Sequence, residues 1–368
     1  MKGINRRDFL KLGLLSAGAM AFRSGPHPYF APNRDITDFE QGKRLGRVFD
    51  LVEVKSKPDP ASTTVKTLYE DNIIEWQRDV IGVPLTITPT NYRWVETPDG
   101  YVPATRVQPT MAILNQPLAS LPQQRSDVGF WGEVTVPYLE MTLANPPARA
   151  PKLQELIAAN QPFRAYYSQV FWVDDLKQDD NGNTLYHMIE KYGSYGDEFW
   201  VDARGVKPLT AEDLAPIHPD VTDKKIVVDL SHQTLSCYEG KDEVLFTRVS
   251  TGAKYNSEGQ IVDNWSTPVG DYHVINRKYA SIHMAGGSAA SGYELFAVNW
   301  TCIFATGGVA LHSTFWHNNY GEPMSHGCVN IPPDEAKFVY RWSLPQVDYD
   351  DGHVEQLGYA GTNVQVIE

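Results

Sequence analysis

One cysteine, Cys328, sits inside Ser325-His326-Gly327-Cys328-Val329-Asn330, and a second histidine, His312, lies upstream in Leu311-His312-Ser313-Thr314. A thiol with two imidazoles in reach is a candidate for acyl transfer through a covalent thioester. With a reference pKa of about 8.5 only a few per cent of a free thiol is thiolate at neutral pH, so the attack needs an imidazole beside it. His312 and His326 are the candidate suppliers. The same residues are also possible zinc ligands, and His312 with His317 fits a His-x3-5-His pair. No second cysteine stands near Cys328, however, and structural zinc sites draw on Cys-x2-4-Cys pairs, so no metal is expected. His317 belongs to the aromatic connection Phe315-Trp316-His317-Asn318-Asn319-Tyr320 and reads as pocket wall.

These residues need a rigid frame. From Lys224 onward β-branched runs dominate, among them Ile226-Val227-Val228-Asp229-Leu230 with Gln233-Thr234-Leu235, the turn Thr267-Pro268-Val269-Gly270-Asp271-Tyr272, and the final Gly361 to Ile367. Lys278 to Tyr293, with Met284-Ala285-Gly286-Gly287-Ser288-Ala289-Ala290-Ser291-Gly292, is too rich in Gly, Ala and Ser for a packed strand and reads as a loop.

Together these features resemble the YkuD-type L,D-transpeptidases of bacterial cell walls. That family's signature is a strand histidine, a connection of variable length, then Ser/Thr-His-Gly-Cys, a hydrophobic residue and Asn or Arg. The resemblance covers about residues 224–368, with the hairpin, the Thr-Pro-x-Gly turn and the closing strand in place. It implies a mainly β fold: a YkuD-like β-sandwich catalytic domain. It also implies that Cys328 is the nucleophile and His312 the proton donor and acceptor, its ring oriented by a backbone carbonyl such as that of Ser313. Backbone N–H groups of His326, Gly327 and Cys328, with the His326 ring, would stabilise the oxyanion, and Gly327 would permit the unusual φ such a loop demands. Asn330 would hold the loop or contact the substrate. Trp316 and Tyr293 are candidates for substrate binding, as are Arg277 and Lys278 toward stem carboxylates. The Gly- and Ala-rich loop would cover the site and keep water from the thioester.

The activity implied is peptidoglycan cross-linking, in which Cys328 takes a stem peptide at its third residue, D-Ala leaves, and a neighbouring stem's amine forms a 3→3 link. No cofactor is needed, and carbapenem-type inhibitors are expected to acylate the cysteine. A hydrolase of the same fold, an L,D-carboxypeptidase or endopeptidase, shares every residue. A non-catalytic wall-binding protein is the alternative of another class.

The rest of the 368-residue chain is ordinary for a globular protein, at 42% hydrophobic and 21% charged residues. A formal charge of −13 and no cluster of Lys and Arg beyond the start argue against nucleic acid as partner. Residues 1–30 hold Asn5-Arg6-Arg7-Asp8-Phe9-Leu10-Lys11 and a short apolar stretch to Phe22, which resembles a twin-arginine export signal with cleavage after Ala21. The expected location is the cell envelope, periplasmic or wall-associated. Residues 24–43 and 208–223 read as linkers.

Between them, residues 44–110 show short strand-like runs at Val48–Val54, Val65–Tyr69, Ile73–Trp76, Leu85–Thr88, Tyr92–Glu96 and Gly100–Val102. This unit resembles a bacterial SH3-like module. Tyr101-Val102-Pro103-Ala104-Thr105-Arg106-Val107-Gln108-Pro109 aligns without gaps on Trp200-Val201-Asp202-Ala203-Arg204-Gly205-Val206-Lys207-Pro208, so residues 125–210 read as a second copy. A helix over Ala148–Ala159, with Leu153, Leu156 and Ile157 on one face, would be inserted in it. The dense aromatics read chiefly as barrel cores, with glycan stacking as the alternative. Cys237 and Cys302 lie in apolar runs, and sequence leaves open whether they pair.

Overall fold

The computed structural model describes residues 34–85, 91–125, 127–253, 265–286, 292–356, 358 and 360–368. The export-signal segment lies outside them, as do residues 287–291 of the expected lid.

The C-terminal part is built from two five-stranded sheets. In the first, Lys224–Asp229 pairs antiparallel with Thr234–Glu239, as the hairpin pattern predicts, and Asp242–Arg248 extends it. The closing strand Asn363–Ile367 lies parallel to Lys224–Asp229, setting Ile226 against Val364 and Val228 against Val366, and Gly270–Val274 completes the order. Period-two alternation turns Ile226, Val228, Leu235, Cys237, Val364 and Val366 inward, all at most 1% exposed.

The second sheet runs Val329–Ile331, Ala310–Ser313, Tyr293–Ile303, Arg277–Gly286 and His353–Glu355. Trp300, Cys302, Leu311, Val329 and Ile331 meet the first sheet's inner face in one core, a β-sandwich. Helix Pro333–Trp342 buries Ala336, Val339, Tyr340 and Trp342 in the same core. Its proline in the first turn and the early Asp334 and Glu335 suit a helix N-terminus.

Two expectations change here, and one open question closes. Arg277–Gly286 is a ten-residue strand, so the Gly- and Ala-rich run begins as sheet. Cross-strand bonding to Tyr293–Ile303 overrides its weak propensity. Lys278 is fully buried with Nζ donating to the carbonyls of Ser343 at 2.7 Å and Pro345 at 2.9 Å, which removes it from any substrate site. Cys237 and Cys302 are buried and unpaired.

The N-terminal part is also β. Sheets of three and five strands cover Arg44–Met111, and a six-stranded sheet centres on Phe130–Val134, Val170–Gln178 and Thr184–Ile189. Arg78–Ile81 is a strand that the sequence pattern did not show, and the expected Val48–Val54 run breaks into Arg44–Val48 and Val52–Lys55. The two aligned nonapeptides share a local structure: a strand, a single 3₁₀ turn at Ala104–Arg106 or Ala203–Gly205, then a strand. Ala104, Ala203, Val107 and Val206 are each 0% exposed, so the shared small and β-branched positions are core positions in both.

Helix Pro151–Ala158 forms, but only Leu153 is buried and Ile157 is 53% exposed, so its expected apolar face is narrower. Trp76, Trp94, Trp131, Trp172, Phe171 and Phe199 are core residues. Neither linker expectation survives in the described residues. Ile36 and Phe39 bury into the second unit, the Phe39 ring 5.1 Å from that of Tyr138, while Leu209 and Leu214 join the sandwich core. Trp131 Nε1 donates to Tyr349 O at 2.9 Å and Tyr349 OH to Leu209 O at 2.7 Å, so the second unit is bonded to the sandwich directly.

Candidate active site

The His312 strand, Ala310–Ser313, runs parallel to Val329–Ile331 with Leu311 opposite Val329 and His312 opposite Asn330. Leu311, Val329 and Ile331 enter the core at 0% exposure, so His312 and Asn330 share the other face. Cys328, two residues before Asn330, continues that face opposite Ala310. Its thiol takes the Ala310 backbone N–H, which places sulfur beside the start of the His312 strand.

His312 is 3% exposed, and its Nδ1 lies 2.8 Å from the Ser313 carbonyl. A carbonyl can only accept, so Nδ1 carries the proton and Nε2 keeps its lone pair. Ser313 is itself held by Oγ donating to Asn299 O at 2.9 Å.

Burial pushes His312 down to about 4 and the Cys328 thiol up to about 11, the latter against the pull of the Ala310 N–H. Both shifts run opposite to those that would form a thiolate–imidazolium pair. The resting pair is therefore neutral imidazole and neutral thiol. Such a pair can transfer its proton only as sulfur attacks.

The loop bearing Cys328 is a tight turn that spends its own polar groups. Ser325 Oγ donates to Cys328 O and accepts Gly327 N–H at 3.1 Å. Thr267 Oγ1 donates to Gly327 O at 2.8 Å and accepts Gly252 N–H at 2.9 Å. Gly327 has φ +120°, and a Cβ on Gly252 would meet Trp265 O at 1.9 Å. Both positions need glycine, one for conformation and one for close approach. Since Gly327 N–H is bonded within the turn, the oxyanion donor expected of it is not free. Among the described residues Cys328 N–H has no backbone acceptor, which leaves it as the turn's candidate oxyanion donor.

Aromatic rings gather around the two histidines. The His326 ring lies 4.0 Å from Trp265 and 5.3 Å from Tyr293, and Trp316, half-buried, lies 5.7 Å from His312. Burial raises the Tyr293 phenol, with Cys328 the smaller cause.

Asn330 does not reach outward: at 2% exposure its amide stands 2.8 Å from His317 Nε2. Asn319 N–H donates to His317 Nδ1 at 3.2 Å, so Nε2 carries the ring's proton. With Nε2 protonated, the Asn330 side-chain oxygen is its acceptor, which requires the amide's oxygen and nitrogen to be exchanged. His317, pushed down to about 3 by burial and by His312, is a neutral strut between the aromatic connection and Asn330. Sequence reasoning missed this strut and the roles of Ser325 and Thr267. The last two were visible as hydroxyl residues inside the quoted motifs.

Residues 223–366 match the family model of the L,D-transpeptidase catalytic domain, YkuD. The YkuD segment begins and ends with the sandwich and leaves the N-terminal units outside it. Among solved structures, an Enterococcus faecium L,D-transpeptidase mutant is 25% identical at a TM-score of 0.29, covering 44% of this chain and 55% of its own. The catalytic domain from E. faecium is 25% identical at 0.28, covering 40% and 98%. An L,D-transpeptidase from Mycobacterium smegmatis is 17% identical at 0.30, covering 54% and 91%. The chain spans about half the length of the first of these. Among curated proteins nothing matches it.

Proposed function

We propose that this protein is a peptidoglycan L,D-transpeptidase that works through a Cys328 thioester. The observation that supports it most is the His312–Cys328 arrangement on one sheet face, with Nδ1 committed to Ser313 O and Nε2 left as a base. His312 Nε2 takes the thiol proton as Sγ bonds to the carbonyl carbon of a stem peptide's third residue. The oxygen's new charge meets Cys328 N–H. When the tetrahedral adduct collapses, the C–N bond to D-Ala breaks and the leaving amine takes the proton from His312, leaving a thioester.

In the second half an amine from a neighbouring stem attacks the thioester, His312 accepts its proton, and the departing sulfur takes that proton back. The product is a 3→3 cross-link. Tyr293, Trp265, His326 and Trp316 make the apolar walls that would shield the thioester from water. A carbapenem ring presents the same electrophile to the same sulfur and would form a stable adduct.

The N-terminal units are read as two SH3-like modules and residues 1–30 as a twin-arginine signal, which would place the enzyme in the cell envelope. Purified protein incubated with a disaccharide tetrapeptide should yield a cross-linked dimer by mass spectrometry. Shortened monomer alone would make it a hydrolase. No product, with an unchanged Cys328→Ala phenotype, would reduce it to a wall-binding protein.

A further inference from the structure

The connection from Phe315 to Tyr320 lies between His312 and the cysteine loop, yet much of what holds it comes from outside the YkuD segment. Asn318, 6% exposed, donates from Nδ2 to Ala104 O at 3.0 Å and Val107 O at 3.1 Å, the two ends of the first unit's 3₁₀ turn. Arg47 Nη2 donates to Phe315 O. The Phe315 ring stacks on Tyr166 of the second unit at 5.6 Å and 21°, and the Arg47 guanidinium lies 3.8 Å from the Tyr166 ring centre.

The anchors are rigid in their turn. Asp71, 1% exposed, bridges Arg47 at 2.8 Å and Arg164 at 2.7 Å, and Arg164 also reaches Glu140 at 2.7 Å. Arg47 Nε bonds Gln108 Oε1 at 2.8 Å, and Gln108 Nε2 bonds Tyr167 O at 3.0 Å. Buried charges with every arm bonded hold one geometry, because any displacement leaves a charge unpaired in a medium that cannot solvate it.

What this connection carries bears directly on the reacting pair. Trp316 lies against the His312 ring, and His317 ties the connection to Asn330, opposite His312 and two residues from Cys328. We propose that the first N-terminal unit is a working part of the active site, with Asn318 as the positioning residue. By clamping the connection to Ala104 and Val107, Asn318 keeps Trp316 and His317 in place, and these keep His312 buried and Asn330 in register. The proposal rests on the Cys328–His312 reading above and gives the N-terminal units a role apart from wall attachment.

The test uses the full chain and the rate of carbapenem acylation, read as intact mass, across pH. Asn318→Ala and the isosteric Asn318→Asp should acylate about 10- to 100-fold more slowly, the usual effect of a remote misplacement of about an ångström. The acid limb of their pH profiles should also move up from about 4 toward the free imidazole value as His312 gains water. Tyr349→Phe, which removes a different bond between the N-terminal part and the sandwich, is the control for general loosening and should acylate at the unsubstituted rate.

Unchanged rates and acid limbs in both Asn318 variants would overturn the proposal, as would equal slowing by Tyr349→Phe. An adduct that persists in Cys328→Ala would instead overturn the cysteine reading, and the proposal with it. Hydrogen exchange on the unsubstituted chain does not depend on how the variants fold. Amides 315–320 should open in the same denaturant step as Val107–Met111. Opening with Lys224–Asp229, after Val107–Met111 has gone, would also overturn it.

Discussion

Replacing His312 with alanine should change the shape of the pH–rate profile for carbapenem acylation as well as its height. With the Cys328 thiol pushed up to about 11, roughly one part in 10⁴ is thiolate at pH 7, since each pH unit below the pKa is a factor of ten. Direct attack by that fraction would be slower than attack by a full thiolate by about the same factor. His312, down at about 4, is almost wholly neutral at pH 7 and can take the proton during attack, a contribution of about 10²- to 10⁴-fold. The unsubstituted protein should therefore react at a nearly constant rate from about pH 5 to 9 and lose rate only as His312 protonates near 4. His312→Ala should be about 10²- to 10⁴-fold slower at pH 7 and gain about tenfold per pH unit toward 11, following the thiolate. Stopped-flow loss of the carbapenem chromophore, with intact mass to confirm the adduct, measures both. A profile of the unsubstituted protein that rises through pH 6–8 would refute the neutral pair and point to a preformed thiolate.

Gly327→Ala forces a side chain into φ +120° while meeting nothing closer than 3.8 Å, so it should cost about 1–3 kcal/mol of backbone strain in urea unfolding and abolish acylation. Near-normal stability with normal acylation would refute the strain. His283, at the junction between the second unit and the hairpin bearing Tyr293, is pulled down by burial, but Glu190 at 2.8 Å outweighs this and raises it. A raised imidazole contributes stability below its unfolded value of about 6.5 and loses it as pH rises through the folded value. The difference in unfolding free energy between the native chain and His283→Gln should therefore shrink between pH 6 and 9; a constant difference would exclude the coupling. Iodoacetamide without reductant should label Cys328 alone in the native protein and all of Cys237, Cys302 and Cys328 in denaturant, counted by peptide mass.

The Ser325–Asn330 motif and its upstream histidine made much of the site readable in advance, and strand alternation explains where the structure puts them. Residues that alternate with Leu311 and Val329 must face away from the core, so His312 and Asn330 fall on one face once the two strands pair, and Cys328 follows by period two. Local patterning also located the hairpin at Lys224 and the closing strand, and the aligned nonapeptides fall on matching local structures. It failed where partners distant in sequence decide. Arg78–Ile81 and the Gly- and Ala-rich end of Arg277–Gly286 are strands through the ladders they join, and Leu209 and Leu214 look like linker residues until the sandwich closes over them.

By itself, then, the amino-acid order determined which groups can react and on which side of their strands they emerge, since both follow from side-chain type and a two-residue period. Folding alone decided their protonation, because desolvation depends on everything packed around His312 and Cys328 and reverses the shift expected of an isolated thiol–imidazole pair. It also decided that Ala104, Val107 and Arg47, far away along the chain, brace the connection beside His312, a contact that no local pattern encodes.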